Sequence, residues 1–204
     1  MGAMPQVTRG ALTVADVARA LADHTPRDLD VPGFRRAAVL VPLVEEPSGL
    51  SLLLTVRAPN LRSHAGQLAL PGGRLEPGED DVAAALRETA EEVGIAVPRE
   101  EVIGELSDHP SPAGYVARPV VARVPWPQPL RPDPDEVAEV FLVPLGELRA
   151  VTPRSEVREL RPDTRRRIFF YRWRDKDIWG FTGNVVRNLF DVLDGRDGDD
   201  PFAA

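Results

Sequence analysis

Cysteine is absent from the 204-residue chain, which excludes a disulfide framework, a thiolate nucleophile and a cysteine-ligated zinc. The absence fits a reducing compartment. Long apolar runs are missing too. The longest, residues 37–44 and 50–56, fall far short of the roughly 20 residues needed to span a bilayer. Residues 1–10 lack the basic stretch and apolar run of a secretory signal, and the closing Asp-Asp-Pro-Phe-Ala-Ala carries no peroxisomal address. These absences predict a cytoplasmic protein with no membrane partner. An excess of positive charge is also lacking: the formal net charge is -7. That opposes a nucleic-acid-binding surface, which needs a basic stripe, although Arg165, Arg166 and Arg167 form a local cluster.

What is present suffices for a folded core. The hydrophobic content is 43%, and the length suits one domain over residues 1–204 with its core at about 35–195. Residues 12–24 read as an amphipathic helix that Thr13 or Asp16 could cap. Residues 25–33 read as a connector. Two β-rich runs, 36–44 and 50–57, flank Glu45-Glu46-Pro47-Ser48-Gly49, a hairpin turn signal. Residues 58–79 hold Pro71-Gly72-Gly73 and Pro77-Gly78, which predict mostly loop with a short strand near 67–70. Residues 80–93 are the clearest helix, closed by Gly94. Further strands are expected at 102–106, 116–124, 137–144 and 167–173, with helices at 145–150 and 183–193. The proline-rich stretch 125–134 reads as an irregular excursion. The sum is an α/β or α+β sandwich rather than a doubly wound sheet.

On the 80–93 helix, Val82, Ala85, Leu86, Thr89 and Val93 fall on one stripe at 100° per residue, the face that packs. Glu88, Glu91 and Glu92 fall together on a neighbouring face. Like charges three and four apart repel by about 0.2–0.5 kcal/mol per pair, and the helix dipole disfavours anions in the last turn. Local stability does not account for them; a hard cation does. Mg²⁺ binds oxygen ligands and typically takes one or two carboxylates plus substrate phosphates. Gly72 and Gly73 suit a tight loop whose backbone approaches a ligand closely. A bare Glu-x-x-Glu-Glu is equally at home on a solvated helix end, so the wider pattern decides.

That pattern runs Gly73, Glu79, then Arg87-Glu88-Thr89-Ala90-Glu91-Glu92-Val93-Gly94-Ile95. It resembles the Nudix box of the Nudix hydrolases, with all seven fixed identities present. At roughly 7% per position, chance gives such a match on the order of once in 10⁸ windows. Thr89 departs from the bulky aliphatic expected there. The resemblance implies a Nudix-type α/β/α sandwich with a mixed β-sheet and a loop–helix–loop box. It also implies a site that uses Mg²⁺, or Mn²⁺, to split a phosphoanhydride. It assigns metal binding to Glu88, Glu92 and Glu91, and the holding of the loop to an ion pair between Glu79 and Arg87. It leaves the general base open among Glu88, Glu91, Glu136 and Glu139.

Upstream, Leu53-Leu54-Thr55-Val56-Arg57, Leu61-Arg62-Ser63-His64-Ala65-Gly66-Gln67 and Leu70-Pro71-Gly72-Gly73 resemble the motif of the coenzyme A pyrophosphatases within that family. The departures are Val56 for Lys, Leu70 for Phe, and Glu76 and Glu79 for Asp. This resemblance implies hydrolysis of coenzyme A or a derivative to 3′,5′-ADP and 4′-phosphopantetheine. Arg57, Arg62, His64, Gln67, Gly72 and Gly73 are then the substrate-binding residues, with the arginines offering forked donors to phosphate. The alternatives are another nucleoside diphosphate such as ADP-ribose or a dinucleotide, and a binding module without turnover. Ser111-Pro112-Ala113-Gly114-Tyr115 and Ile178-Trp179-Gly180-Phe181-Thr182-Gly183 resemble the subfamily more loosely, and Tyr115 could line a pocket. His24 and His109 read as structural. A homodimer is left open.

Overall fold

The computed structural model describes residues 11–60, 65–161 and 164–196. Helix α1 (Val14–Ala22) begins in a capping box in which both cap candidates act together. The Thr13 hydroxyl accepts from the Asp16 N–H, and the Asp16 carboxylate accepts from the Thr13 N–H. Strands β1 (Arg35–Glu46) and β2 (Gly49–Arg57) then form a hairpin. It is tighter than the sequence suggests, because Glu45 pairs with Leu50 and Glu46 with Gly49.

Beyond Leu43 and Leu52 the two strands diverge, and residues 68–74 fill the gap. Within them β3 (Leu68–Ala69) pairs with β2, and β4 (Gly72–Arg74) pairs with β1. Pro42 stands where neither ladder reaches. The Leu40 N–H donates to the Pro71 carbonyl, so by the two-residue alternation the nitrogen of Pro42 faces the same gap. That is how a proline is tolerated inside a central strand. On the other edge of β1 lies β7 (Tyr115–Val124), parallel along its whole length. Strands β5 (Val102–Glu105) and β6 (His109–Ser111) extend the sheet beyond β7, and β8 (Val137–Pro144) runs antiparallel to β2.

Because β1 is central and covered on both faces, it reads as a continuous apolar run. Its two sets of side chains serve two cores. Ala38, Leu40 and Val44 pack with Val82, Ala85 and Val93 of α2 (Asp81–Val93). Val39, Val41 and Leu43 pack with Val17 and Leu21 of α1 and with Val185 and Leu189 of α4 (Gly180–Leu193). Each fully buried leucine here contributes ~1.5–3 kcal/mol. Helix α3 (Leu145–Ala150) and a second sheet cover the same face as α4. That sheet is β9 (Arg154–Arg161), β10 (Thr164–Trp173) and β11 (Lys176–Trp179), in the order β11-β10-β9. The result is the expected sandwich: helix, mixed sheet, then helices with a small sheet.

Several bounds differ from expectation. Asp80 is the N-cap of α2 rather than its first residue, and α4 begins three residues early, at Gly180. Strand β9 was not anticipated, since its alternating charges give no apolar face. No helix among the described residues is long and apolar enough to cross a membrane.

Candidate active site

Helix α2 is held at both ends by contacts that fix its last turn against the sheet. The Asp80 carboxylate accepts from the Ala83 N–H at 2.7 Å and from Arg99 at 2.7 Å. At the other end Gly94 takes a left-handed φ of 73°, which glycine adopts without strain. The proline-rich excursion returns over this end. The Arg131 N–H donates to the Val93 carbonyl and the Asp133 N–H to the Glu92 carbonyl, both at 2.9 Å. Residues 131–133 thereby satisfy carbonyls that a helix end leaves bare. They also carry the chain to Glu136, immediately before β8.

Arg87 is the hub of the helix surface. Its Nε donates to Glu79 Oε1 at 3.0 Å and its Nη2 to Glu79 Oε2 at 3.1 Å, a two-pronged pair. Nη2 also reaches the Arg74 carbonyl at 2.9 Å, while Nη1 lies 3.1 Å from both Glu88 and Glu91. The loop is thus locked to the helix through one guanidinium. The Arg87 pairing holds the Glu79 carboxyl below the usual carboxylate range, helped by the Glu76 N–H. The ion pair expected between Glu79 and Arg87 is present.

Glu92 is the unusual group. Its side chain is buried, with 6% residual exposure, and it accepts from the Gly72 N–H at 3.2 Å. Burial pushes its carboxyl up to about 8, against the Gly72 hydrogen bond; the charges of Glu136 and Glu88 push the same way, and Arg57 opposes them. Glu88 is raised as well, chiefly by burial, with Arg87 opposing and Glu91 and Glu136 adding to it. Glu91 stands apart, with 63% of its side chain exposed.

The glycines set this geometry. A Cβ on Gly73 would lie 2.4 Å from the Glu88 carboxyl, and one on Gly72 would lie 2.4 Å from the Ala38 carbonyl oxygen. The loop backbone therefore lies directly against β1 and the box carboxylates. Arg57, at the end of β2, has a buried Nε without a hydrogen-bond partner. Its backbone N–H donates to the Gln67 carbonyl, which ties the start of the upstream motif to its end.

The structure brings together Glu79, Arg87, Glu88, Glu91, Glu92, Gly72, Gly73 and the charge of Arg57. Arg62 and His64 lie outside the described residues. Of the two candidate bases beyond the box, Glu136 precedes β8 and its charge acts on the box carboxylates; Glu139 lies within β8, is exposed and pairs with Lys176 at 3.5 Å. Tyr115 is occupied by Arg35, whose Nη2 donates to its hydroxyl at 2.6 Å. His109 is buried beside Asn188 and Phe181, and burial lowers its imidazole to about 3. Sequence reasoning missed the Arg74 carbonyl, which has no residue-type signature, and the capping of α2 by residues 131–133. A cavity of about 370 Å³ opens on the second sheet beside Arg154, Arg158, Phe170 and Trp179; it shares no residue with the box.

Among the described residues, no three carboxylate or imidazole groups are gathered tightly enough to cage a cation alone. The donor set still fits a hard divalent ion, which takes one or two carboxylates and completes its shell with water and phosphate oxygens. Glu88 and Glu92 are two such carboxylates, partly buried and buried, and burial raises both against the opposing charges of Arg87 and Arg57, so a cation between them would offset the cost of holding them charged.

A sandwich carrying this loop–helix–loop constellation defines a class, and the comparisons name it. Residues 34–167 match the model of the NUDIX domain, and the chain belongs to the Nudix hydrolase family. It is 39% identical over 156 residues to a protein of Photorhabdus laumondii named "Uncharacterized Nudix hydrolase NudL", covering 76% of this chain and 83% of that one. A protein of the same name from Yersinia pestis is 38% identical, covering 76% and 78%. The crystal structure of a MutT/nudix family protein from Enterococcus faecalis superposes with a TM-score of 0.54 at 18% identity, over 89% of this chain and 70% of that one. That likeness bears on the fold alone. Nudix hydrolases act on small molecules such as nucleoside diphosphate derivatives and generally need a divalent metal, usually Mg²⁺.

Proposed function

We propose that this Nudix hydrolase splits the diphosphate linkage of coenzyme A or its derivatives into 3′,5′-ADP and 4′-phosphopantetheine. The observation that carries the reading is the placement of residues 53–57 and 67–73 beside the box. The described parts of the stretch that resembles the coenzyme A pyrophosphatase motif include the end of β2, β3 and Gly72, whose N–H meets Glu92. It also sets Arg57 close enough to Glu92 for their charges to interact. This proximity supports a reading in which the motif and the box serve one site.

In this reading Glu88 and Glu92 hold Mg²⁺ or Mn²⁺, and Glu91 completes the acidic face. When bound, the cation offsets charge on the phosphoryl oxygens and acidifies water. Arg57, with Arg62, His64 and Gln67, binds and orients the phosphates. The loop backbone at Gly72 and Gly73 lies close to the reacting group. A water oxygen attacks phosphorus, the bridging P–O bond breaks, and the leaving phosphate departs with the electron pair. The water's proton passes to a carboxylate, and the charge of Glu136 acting on Glu88 and Glu92 supports Glu136 in that role. The work is done in the cytoplasm by a single domain of this chain.

The test is a Mg²⁺ assay over coenzyme A, dephospho-coenzyme A, ADP-ribose and a diadenosine polyphosphate, with products identified by mass. Coenzyme A is expected to show the highest kcat/KM and to yield the two products named. Equal kcat/KM for the dephospho form, or preference for ADP-ribose or the dinucleotide, would overturn the substrate assignment.

A further inference from the structure

We infer that the free edge of β9 is an interface with a second copy of this chain, paired antiparallel about a two-fold axis at Val157. Strand β9 closes one side of the three-stranded sheet, and among the described residues no strand pairs its outer edge. Such an edge is a row of backbone donors and acceptors ready to pair. Val157 lies near its middle, and it is the one large hydrophobic side chain found exposed among the described residues, at 42%.

The sequence around Val157 is complementary to itself reversed. A two-fold axis perpendicular to the sheet keeps each face of the strand on the same side, so only registers pairing residues of like parity are allowed. Centring on Val157 sets Val157 against Val157 of the second copy. Glu156 then lies opposite Arg158, and Arg158 opposite Glu156; Ser155 falls opposite Glu159. Opposite charges directly across an antiparallel pair attract, and like charges there repel. Centring on Glu156 or Glu159 instead sets carboxylate against carboxylate, and centring on Arg158 sets guanidinium against guanidinium. Centring on Ser155 pairs Arg154 with Glu156 but brings Pro153, which has no N–H, into the ladder. The Val157 register alone overlaps residues 154–160 with themselves, leaves Pro153 outside the ladder and sets Glu156 and Arg158 directly opposite each other on both sides of the axis.

The edge is also held ready. Arg154 lies 4.2 Å and Arg158 5.2 Å from the centroid of the Phe170 ring, and Phe170 is stacked on Trp179 at 5.6 Å. Glu156 accepts from Arg154 and Arg158, its neighbours two residues away on the same face of the strand. These contacts fasten β9 to β10 before any partner arrives, so little ordering is left to association. Pairing would join two three-stranded sheets into one of six strands, in the order β11-β10-β9-β9-β10-β11. The box lies on the opposite face of the main sheet, so each copy keeps a whole site.

The test is sedimentation equilibrium of the full chain over a concentration series. A single species of twice the 22.3 kDa monomer mass is expected at high concentration. Glu156→Arg and Arg158→Glu each place like charges across the axis and are expected to give monomer. The double variant Glu156→Arg/Arg158→Glu exchanges the two signs and is expected to restore the dimer. Circular dichroism and box activity separate loss of pairing from loss of folding. A wild type that stays monomeric, a dimer indifferent to the single variants, or a well-folded double variant that stays monomeric would each overturn the interface.

Discussion

Replacing Glu92 by glutamine is expected to make the cation-free protein more stable and the enzyme far less active. The stability side follows from the buried carboxyl. Its pKa is raised in the fold from 4.5 to about 8, so the folded state holds a proton that the unfolded chain has released. Stability from this group is therefore fully present below about pH 4.5 and is lost as the pH rises through about 8. At ~1.36 kcal/mol per pK unit the limit is roughly 5 kcal/mol. Relaxation and water entry around a real site reduce this to about 2 kcal/mol, or roughly 4–8 °C for a chain of this size. Glutamine keeps an oxygen for the Gly72 N–H but carries no charge to desolvate. Thermal melts in chelator at pH 6, 7 and 8.5 should show the variant's advantage growing with pH. Added Mg²⁺ should stabilise the wild type more than the variant, as ligand linkage requires. With Mg²⁺ present, kcat/KM should fall by about 10²–10³-fold, the scale of losing several kcal/mol of charge stabilisation. A variant whose melting difference from wild type does not change with pH would refute the buried-anion argument. Full activity would remove Glu92 from the site.

Three further outcomes follow from the geometry. Gly73→Ala drives a methyl into the Glu88 carboxyl, so activity should fall by roughly 10-fold or more, at about 1.4 kcal/mol per decade. Its melting temperature should change far less than that of Gly72→Ala, whose methyl meets the β1 backbone and should cost about 2–3 kcal/mol. Arg87→Lys keeps the charge but loses the fork to Glu79 and the reach to the Arg74 carbonyl. Kinetics should show kcat falling more than KM rises, with stability down by ~1–3 kcal/mol. Glu136→Gln should lower kcat with little change in KM, whereas Glu139→Gln, on an exposed side chain paired with Lys176, should leave both unchanged.

Much of the fold is legible because its signals are local. The hairpin of β1 and β2, the α2 helix with Gly94 behind it, and the parallel partner β7 all carry an apolar period or a turn residue. Strand β9 carries neither, since an edge strand of alternating Arg and Glu gives no buried face to recognise. The continuity of β4 with the box loop is invisible for a similar reason: Gly72-Gly73 reads as loop, yet it pairs with Val39 and Ala38 because β1 and β2 splay apart around it.

The sequence by itself determined which carboxylates share a helix face and that a guanidinium accompanies them, since spacing along a helix fixes which side chains are neighbours. It could not decide how differently those carboxylates behave. Packing of α2 on the sheet buries Glu92, leaves Glu88 partly exposed and turns Glu91 to solvent. The return of residues 131–136 over the helix end adds Glu136 from far along the chain. Burial and long-range approach depend on the whole tertiary arrangement, and a carboxylate's charge state depends on both.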